Sequence, residues 1–177
     1  DQKSEEEAPR RELFGNYLFE KRKRKGYTFL EAEKIMRERN YFGSALVATG
    51  QADALITGLT RNYPSAIRPA IHVIGKDENV NMIAAMHILF TKKGTLFLAD
   101  TTVNLNPTAE QLVDITVQVA QAVKNFQVDP KIALLTYSNF GSAEGEDALK
   151  MAKAVSLLHK NHPKLIVDGE LQANFAL

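Results

Sequence analysis

The sequence predicts an α/β protein, and three patterns carry that prediction. Two apolar runs, 84–91 and 95–99, are joined by a Lys-Lys-Gly turn, which is the signal of a β-hairpin. The continuous apolar run 132–137 is typical of a strand inside a parallel sheet. A helical pattern over 146–160 and a short apolar run at 165–168 follow, and this order predicts a right-handed β-α-β connection.

The first part of the chain predicts helices. Residues 12–25 place apolar side chains on one side of a helix, which Gly26 ends. Thr28 and Glu31 have the spacing of a capping box, in which each side chain bonds the other residue's backbone N–H. A second helix therefore begins at this point, and we expect it to run to about Arg39.

One strand and two shorter helices complete this part. The pattern predicts a helix over 41–49 and a short buried strand over 52–58. A further helix is predicted over 65–74, with Pro69 restricting its start to about Arg68.

The longest predicted helix begins after Pro107, where Thr108 and Gln111 form a second capping box. Its apolar residues keep the 3–4 spacing of one buried face. This helix lies between two predicted strands, 95–99 and 132–137, and so makes a second β-α-β connection. We therefore expect a mixed, mostly parallel sheet with a β-hairpin.

The polar segment 76–81 separates two parts of the chain. We expect 1–76 to hold the helices and the first strand of one lobe, and 77–177 to form a second α/β lobe. The chain opens with Asp1 rather than Met, and its last residues, 169–177, form an apolar-periodic run without a stop signal. We expect a fragment whose C-terminus cuts through a helix.

The composition excludes several classes of protein. Lys and Arg number 22 against 21 Asp and Glu, so the net charge of +1 creates no field that favours nucleic acid or a membrane surface. No apolar stretch approaches the ~20 residues of a membrane-spanning helix. The absence of cysteine excludes disulfides, thiolate metal sites and cysteine nucleophiles. A mixed domain without cysteine fits the cytoplasm, which is where we expect this protein. The four histidines lack metal-ligand spacing, so we expect no metal site in this chain.

The loop 138–145 is the first candidate ligand site. It follows a predicted strand and precedes a helix, and ligands of open α/β sheets bind at the carboxyl ends of strands. Small residues let backbone N–H groups approach an anion, and Ser138 and Ser142 offer hydroxyl donors. The alternative is a strand–helix loop that uses glycine only for its turns.

Polar side chains crowd the segment 100–108. Asp100, Asn104 and Asn106 could orient a substrate or another loop. The alternative is a network of Asx turns that leads into the long helix.

Two further segments carry cations. Arg61 and Arg68 could face an anionic ligand, since arginine suits bidentate phosphate recognition, or could lie on the surface. The five cations of 21–25 favour a solvated helix end, where positive charge stabilises the helix dipole, over a nucleic-acid patch.

Five stretches together resemble the phosphate acetyl/butyryltransferase family. They are 52–58 (ADALITG), 67–70 (IRPA), 100–112 (DTTVNLNPTAEQL), 133–142 (ALLTYSNFGS) and 167–172 (VDGELQ). The resemblance extends from about Tyr27 to Leu177. The Ser-Asn-Phe-Gly-Ser loop and Arg-Asn-Tyr at 61–63 are similar to the hybrid malic enzyme form, whereas stand-alone transferases usually carry Ser-Thr-x-Gly-Ser.

The resemblance implies a two-lobed fold of the isocitrate dehydrogenase type, with a cleft that accepts acetyl-CoA. It implies that Arg68 binds an anion and that the 138–142 loop belongs to the ligand cleft. The residues it assigns to ligand binding are Arg68, Ser138, Asn139, Gly141 and Ser142, with Asp100, Asn104 and Asn106 in support. The catalytic Ser-Arg motif of the family lies beyond Leu177, so the resemblance implies no complete transferase site in this chain.

Two functions follow from the resemblance. The first is the C-terminal lobe of a hybrid NADP-dependent malic enzyme, which binds acetyl-CoA as a regulator and supports homo-oligomers. NADP and a divalent metal would then bind only to an upstream malic enzyme domain. The second is a phosphate acyltransferase that exchanges an acyl group between CoA and phosphate. Asn139-Phe140 in place of Thr-x favours the first, because a lost hydroxyl weakens a transferase site.

Overall fold

The computed structural model describes residues 4–177 and divides into two compact units, the first ending at Asp77 and the second spanning Glu78–Leu177. Asp1, one of the two observations behind the expectation of a fragment, lies outside the described residues. Among residues 4–177, no helix combines the length and the apolar character that crossing a membrane requires.

The first unit is helical. Its helices are α1 (Ala8–Arg22), α2 (Phe29–Ile35), α3 (Arg39–Ala48) and α4 (Tyr63–Val73), with short 3-10 turns at Glu5–Glu7 and Lys23–Lys25. All four helices contribute to one core, which consists of Phe14, Leu18, Ala32, Met36, Tyr41, Phe42, Ala45 and Val73. Gly15 allows α1 to approach α2, because a Cβ there would lie 2.8 Å from the Glu33 Cα.

The capping box at the start of α2 is confirmed. Thr28 Oγ1 accepts from the Glu31 N–H at 3.3 Å, and the Thr28 N–H donates to Glu31 Oε2 at 2.9 Å. Gly26 ends the preceding turn with φ of 87°, a conformation that favours glycine. The prediction that the second helix runs to Arg39 is wrong, because α2 ends at Ile35 and a turn separates it from α3.

Helix α4 includes Pro69 in its interior, so the prediction that this residue limits the helix start is wrong. The helix begins earlier because Asn62 caps it, with its side-chain oxygen accepting from the Ser65 N–H at 3.0 Å. Proline removes a single backbone donor, and the packing of Pro69 and Val73 into the unit compensates for that loss.

The buried strand predicted over 52–58 does not form. A strand needs a neighbouring backbone to pair with, and the described part of the first unit contains only helices and loops. The side chain of Ile56 is 98% exposed, whereas Leu55 packs against Gly43. Apolar composition alone therefore led to the wrong secondary structure.

The second unit is a mixed α/β structure. Its elements are β1 (Met86–Thr91), β2 (Gly94–Ala99), α5 (Ala109–Lys124), β3 (Lys131–Leu135), α6 (Glu146–Asn161), β4 (Ile166–Leu171) and α7 (Ala173–Ala176). Its core consists of Ala109, Leu112, Val113, Leu134, Ala154, Val155, Leu158 and Val167. The predicted hairpin is confirmed as β1–β2, with Met86 opposite Ala99. The second capping box is confirmed at Thr108.

The described strands form two separate sheets instead of the single mixed sheet that we predicted. Strands β1 and β2 pair antiparallel, and β3 and β4 pair in parallel around α6. Only one of the two expected β-α-β connections therefore joins paired strands, because β2 does not pair with β3. A cavity of about 340 Å³ is lined by residues of β2, α5 and β3. The sequence pattern identified the strands of this second unit, but strand pairing is a tertiary property.

Candidate functional site

The loop that follows β3 is held by a buried carboxylate from β4. Glu170 is 3% exposed, and its Oε1 accepts from the Ser138 hydroxyl at 3.0 Å and from the Gly141 N–H at 2.5 Å. The Glu170 backbone carbonyl also accepts from the Phe140 N–H at 3.0 Å. Hydrogen bonds to the carboxylate, above all from the Gly141 N–H and also from Ser138, lower the pKa of the Glu170 carboxyl, so it stays ionised at neutral pH.

Ser138 is fully buried and belongs to the frame of this loop. Its Oγ accepts from the Ala143 N–H at 3.1 Å while its proton goes to Glu170. Ser142 is exposed, and its Oγ accepts from the Asn139 N–H at 2.9 Å and lies 3.3 Å from Ser138 Oγ. Of the two predicted serines, Ser142 is the one whose hydroxyl can reach a ligand.

The five backbone N–H groups of residues 139–143 are all used inside the protein. Asn139 donates to Ser142 Oγ, Gly141 to Glu170 Oε1 and Ala143 to Ser138 Oγ, and the other two donate to backbone carbonyls. An anion at this loop therefore has to be bound by side chains, in contrast to the N–H cradle that small loop residues suggest. Helix α6 also begins with Glu146 and Asp147, which disfavour an anion there.

Asn139 and Phe140 have different roles. Asn139 Oδ1 accepts from the Gln172 N–H at 2.7 Å and joins the loop to the end of β4. Phe140 takes φ of 46°, which is unusual for a bulky residue, and leaves its ring 60% exposed. The loop thus presents an aromatic ring and the Ser142 hydroxyl on a frame that Glu170 holds.

Asp100 organises the segment after β2 as the predicted Asx network. Its carboxylate accepts from the N–H groups of Ala85, Val103 and Asn104 at 3.2, 3.2 and 2.9 Å, and from the Asn104 side-chain amide. Partial burial raises the pKa of Asp100, but these bonds together lower it below its usual value. Asn106 lies apart and accepts from Lys150 Nζ at 2.7 Å.

The first unit contains a cationic cluster around His72. Tyr41 and Tyr27 hydroxyls lie 2.9 and 3.1 Å from His72 Nδ1. The Arg22 guanidinium carbon lies 5.8 Å from the centre of the Tyr27 ring. Arg68 precedes His72 by four residues on α4, so the two share one helix face.

The cations of this cluster have no carboxylate partners among residues 4–177. Arg22, Lys25 and Arg68 form no salt bridge there, and Arg22 Nε is buried without a hydrogen-bond partner. Partial burial, and then these three charges, lower the pKa of His72 below its usual 6.5. Uncompensated positive charge of this kind is suited to an anionic ligand.

The structure gives Arg61 and Arg68, the two arginines that the sequence offered as anion ligands, different surroundings. Both arginines are exposed, but Arg61 pairs with Glu38 at 3.4 Å, whereas the Arg68 charge acts on His72. The basic run 21–25 is also not a uniformly solvated helix end. Lys21 Nζ donates to the Val73 and Ile74 carbonyls at 2.8 and 2.7 Å, and so caps α4.

Sequence reasoning did not single out Glu170, Arg22 or His72, which the structure places in the loop frame and in the cationic cluster. Glu170 lies inside the VDGELQ stretch, but its partners are 29 and 32 residues away, and no spacing rule reaches that far. Arg22 is one of five successive cations, and the sequence does not distinguish it from the other four. The described residues also hold no group of three or more His, Cys, Asp or Glu side chains that could bind a metal.

Comparison with known families decides the relationship. The family model for phosphate acetyl/butaryl transferases matches residues 2–177. The chain belongs to this family. The resemblance predicted from the sequence is therefore confirmed.

Curated relatives of two kinds match the chain. The NADP-dependent malic enzyme of Haemophilus influenzae is 36% identical over 97% of this chain and 23% of its own length. The phosphate acetyltransferase of Clostridium acetobutylicum is 32% identical over 94% of this chain and 52% of its own length. The chain thus spans about a quarter of the one relative and about half of the other.

Solved structures of phosphotransacetylases share the fold of this chain. The EutD phosphotransacetylase from Staphylococcus aureus aligns with a TM-score of 0.77 and 28% identity, over 97% of this chain and 52% of that one. A phosphotransacetylase from Streptococcus pyogenes aligns with a TM-score of 0.78 and 30% identity, over 94% and 50%. The chain is therefore a mixed α/β, phosphotransacetylase-like domain.

Proposed function

We propose that this chain is the phosphotransacetylase-like lobe of a hybrid NADP-dependent malic enzyme, in which it binds acetyl-CoA as a regulator. The observation that carries the proposal is the set of unpaired cations around His72, above all Arg22 and Arg68. The phosphates of a CoA-type ligand supply the missing negative charge, and guanidinium groups bind phosphate bidentately.

The loop of the second unit favours binding over catalysis. Acyl transfer needs donors aimed at the oxyanion that develops in the transition state. The N–H groups of residues 139–143 are bound to protein acceptors, and Asn139 bonds Gln172 instead of presenting a hydroxyl. Ser142 and Phe140 remain exposed and suit a polar and an apolar ligand contact, respectively.

The first test is isothermal titration of acetyl-CoA into the full chain and an Arg68→Ala variant, with acetyl phosphate formation assayed in parallel. A charged hydrogen bond contributes about 1.5–3 kcal/mol, so Arg68→Ala should weaken binding by roughly 10- to 150-fold. Arg61→Ala is the matched control, because Arg61 pairs with Glu38 and should leave affinity unchanged. Equal affinity of the wild type and Arg68→Ala would refute the proposed site.

A second candidate is a phosphate acyltransferase that exchanges an acyl group between CoA and phosphate. The observation in its favour is that relatives named phosphate acetyltransferase match nearly the whole chain, at 31% identity over 96% of it for the Synechocystis protein. Such a reaction needs no covalent enzyme intermediate, so the protein would orient the substrates and stabilise charge. Turnover that Arg68→Ala abolishes would establish this candidate in place of a regulatory lobe.

The remaining parts of the proposal concern the longer protein. A malic enzyme domain upstream would hold NADP and a divalent metal, and the whole protein would be a cytoplasmic homo-oligomer. Light scattering on the full-length protein tests the oligomeric part, with a dimer or larger assembly as the expected result. The proposal further takes the two units as the two lobes of an isocitrate dehydrogenase-type fold, with Asp100, Asn104 and Asn106 in support of the ligand loop.

A further inference from the structure

We propose that His72 is part of the anion site and takes up a proton when a phosphorylated ligand binds beside Arg22 and Arg68. The inference rests on the proposed function, since it starts from an anion site at these two arginines. It adds a residue that makes ligand affinity depend on pH.

Two phenols converge on a single nitrogen of His72. Tyr41 and Tyr27 hydroxyls lie 2.9 and 3.1 Å from Nδ1, with ring centres 6.0 and 6.2 Å from the imidazole centre. An imidazole nitrogen carries either a lone pair or a proton, so Nδ1 either accepts from the phenols or donates to one of them. With the proton of the neutral imidazole on Nε2, Nδ1 accepts from a phenol, and uptake of one more proton converts Nδ1 into a donor.

The surroundings of His72 are positive. The charged and titratable groups that face it come from each element packed against it: Arg22 of α1, Lys25 of the 3-10 turn, Tyr27 of the next loop, Tyr41 of α3 and Arg68 of α4. Burial, and then Tyr27, raise the pKa of Tyr41 to about 12, so this phenol keeps its proton. The imidazole is therefore the group in this cluster that titrates near neutral pH.

A proton on Nδ1 changes what the cluster offers to an anion. When Nδ1 is unprotonated, its one lone pair accepts from one phenol, and the Tyr27 and Tyr41 hydroxyls also bond to each other. When the imidazole is protonated on both nitrogens, Nδ1 donates to a phenol oxygen, and that phenol's own proton is free to turn toward a bound phosphate. The protonated cluster thus gives the ligand one more positive charge and an additional donor.

The sign of the pH dependence follows from linkage. In the free protein, burial and then the three cations hold the pKa of His72 below 6.5. A bound anion offsets that repulsion and raises the pKa in the complex. The extra affinity is fully present below the free-state pKa and is lost as pH rises through the bound-state pKa. The more binding raises the pKa of His72, the larger is the loss of affinity between these limits.

The decisive experiment is titration calorimetry of acetyl-CoA with the wild-type full chain and H72Q, at about pH 6 and about pH 8. Each titration is repeated in two buffers that differ in ionisation enthalpy, so that proton uptake is measured directly. The phosphate monoester of acetyl-CoA itself titrates near pH 6 and adds to the measured proton uptake. This contribution is common to both proteins, so the quantity that tests His72 is the uptake by the wild type minus the uptake by H72Q. Gln keeps polar atoms at this position but cannot take up a proton.

We expect the wild type to take up more protons than H72Q, by up to about half a proton per ligand, and to lose about three- to tenfold more affinity as pH rises. Equal proton uptake by the two proteins would overturn this inference and leave the proposed function intact. No binding at either pH would overturn both. If Arg68→Ala loses binding while the wild type and H72Q take up equal numbers of protons, the anion site is correct and only the role of His72 is wrong.

A second variant keeps the test decisive if H72Q does not fold, as judged by circular dichroism. The double variant Y27F/Y41F retains both rings and His72 but removes the phenolic donors. It should bind acetyl-CoA more weakly at about pH 6 and nearly as well as the wild type at about pH 8. A loss of affinity that is the same at both pH values would contradict the inference.

Discussion

Two carboxylates of the second unit, Asp100 and Glu170, each hold a loop, but they do so in different ways. Asp100 bonds residues two to four positions ahead of it and the Ala85 N–H, and it is only partly buried. Glu170 is buried and bonds a loop that lies about 30 residues earlier in the chain. The Asp100 network can form together with the loop that it holds, because most of its bonds join residues close in the chain. The Glu170 network can form only after β3 and β4 have paired.

The largest effect is expected from Glu170→Ala. The change leaves the Ser138 hydroxyl and the Gly141 N–H without their acceptor, so it should lower the free energy of unfolding by about 2–4 kcal/mol. Urea denaturation of the full chain measures this, with Glu144→Ala as the control because Glu144 lies in the same loop and makes no bond to its frame. Equal midpoints for the two variants would show that Glu170 does not hold the loop.

Removal of the Asp100 side chain should have a smaller effect. Asp100→Ala is expected to lower the free energy of unfolding by about 1–2 kcal/mol, because water can reach the partly exposed donors it leaves behind. Asp100→Asn retains one oxygen acceptor and should recover part of the loss. If Asp100→Ala destabilised the protein as much as Glu170→Ala, the distinction between local and long-range networks would fail.

Phe140→Gly should raise stability slightly. Phe140 has φ of 46°, a conformation that is strained for a bulky residue and unstrained for glycine, so we expect a gain of about 0.5–1 kcal/mol. Phe140→Ala removes the ring without relieving the backbone and should show no gain. The same urea curves measure both variants, and an equal gain in each would assign the cost to ring exposure instead of backbone conformation.

The smallest effect is expected in the acid range. Both carboxyl groups have a lowered pKa in the folded state, so their stabilisation is present above the ordinary values of 4.5 and 3.8 and is lost as pH falls through the folded values. Glu170→Gln should therefore reduce the steepness with which stability falls below about pH 4. A slope identical to that of the wild type in urea melts at several pH values would contradict this.

The residues of the candidate site also differ in whether their contacts are local or join distant parts of the chain. The Asx network at Asp100 could be predicted, because its donors lie within four residues of the acceptor. The resemblance pointed to Arg68 and to the 138–142 loop. Arg22 and His72 could not be found in this way, because they meet only when α1 and α4 pack together.

The sequence by itself determined the two capping boxes, the hairpin and the apolar runs of β3 and β4, because each depends on neighbours a few residues apart. The family also followed from the sequence, since short motifs in a fixed order carried the resemblance. Tertiary structure alone decided that 52–58 is not a strand, that β2 does not pair with β3, and that Glu170 is buried beneath a loop. These features depend on groups that are distant in the chain, and local pattern contains no information about which of them will meet.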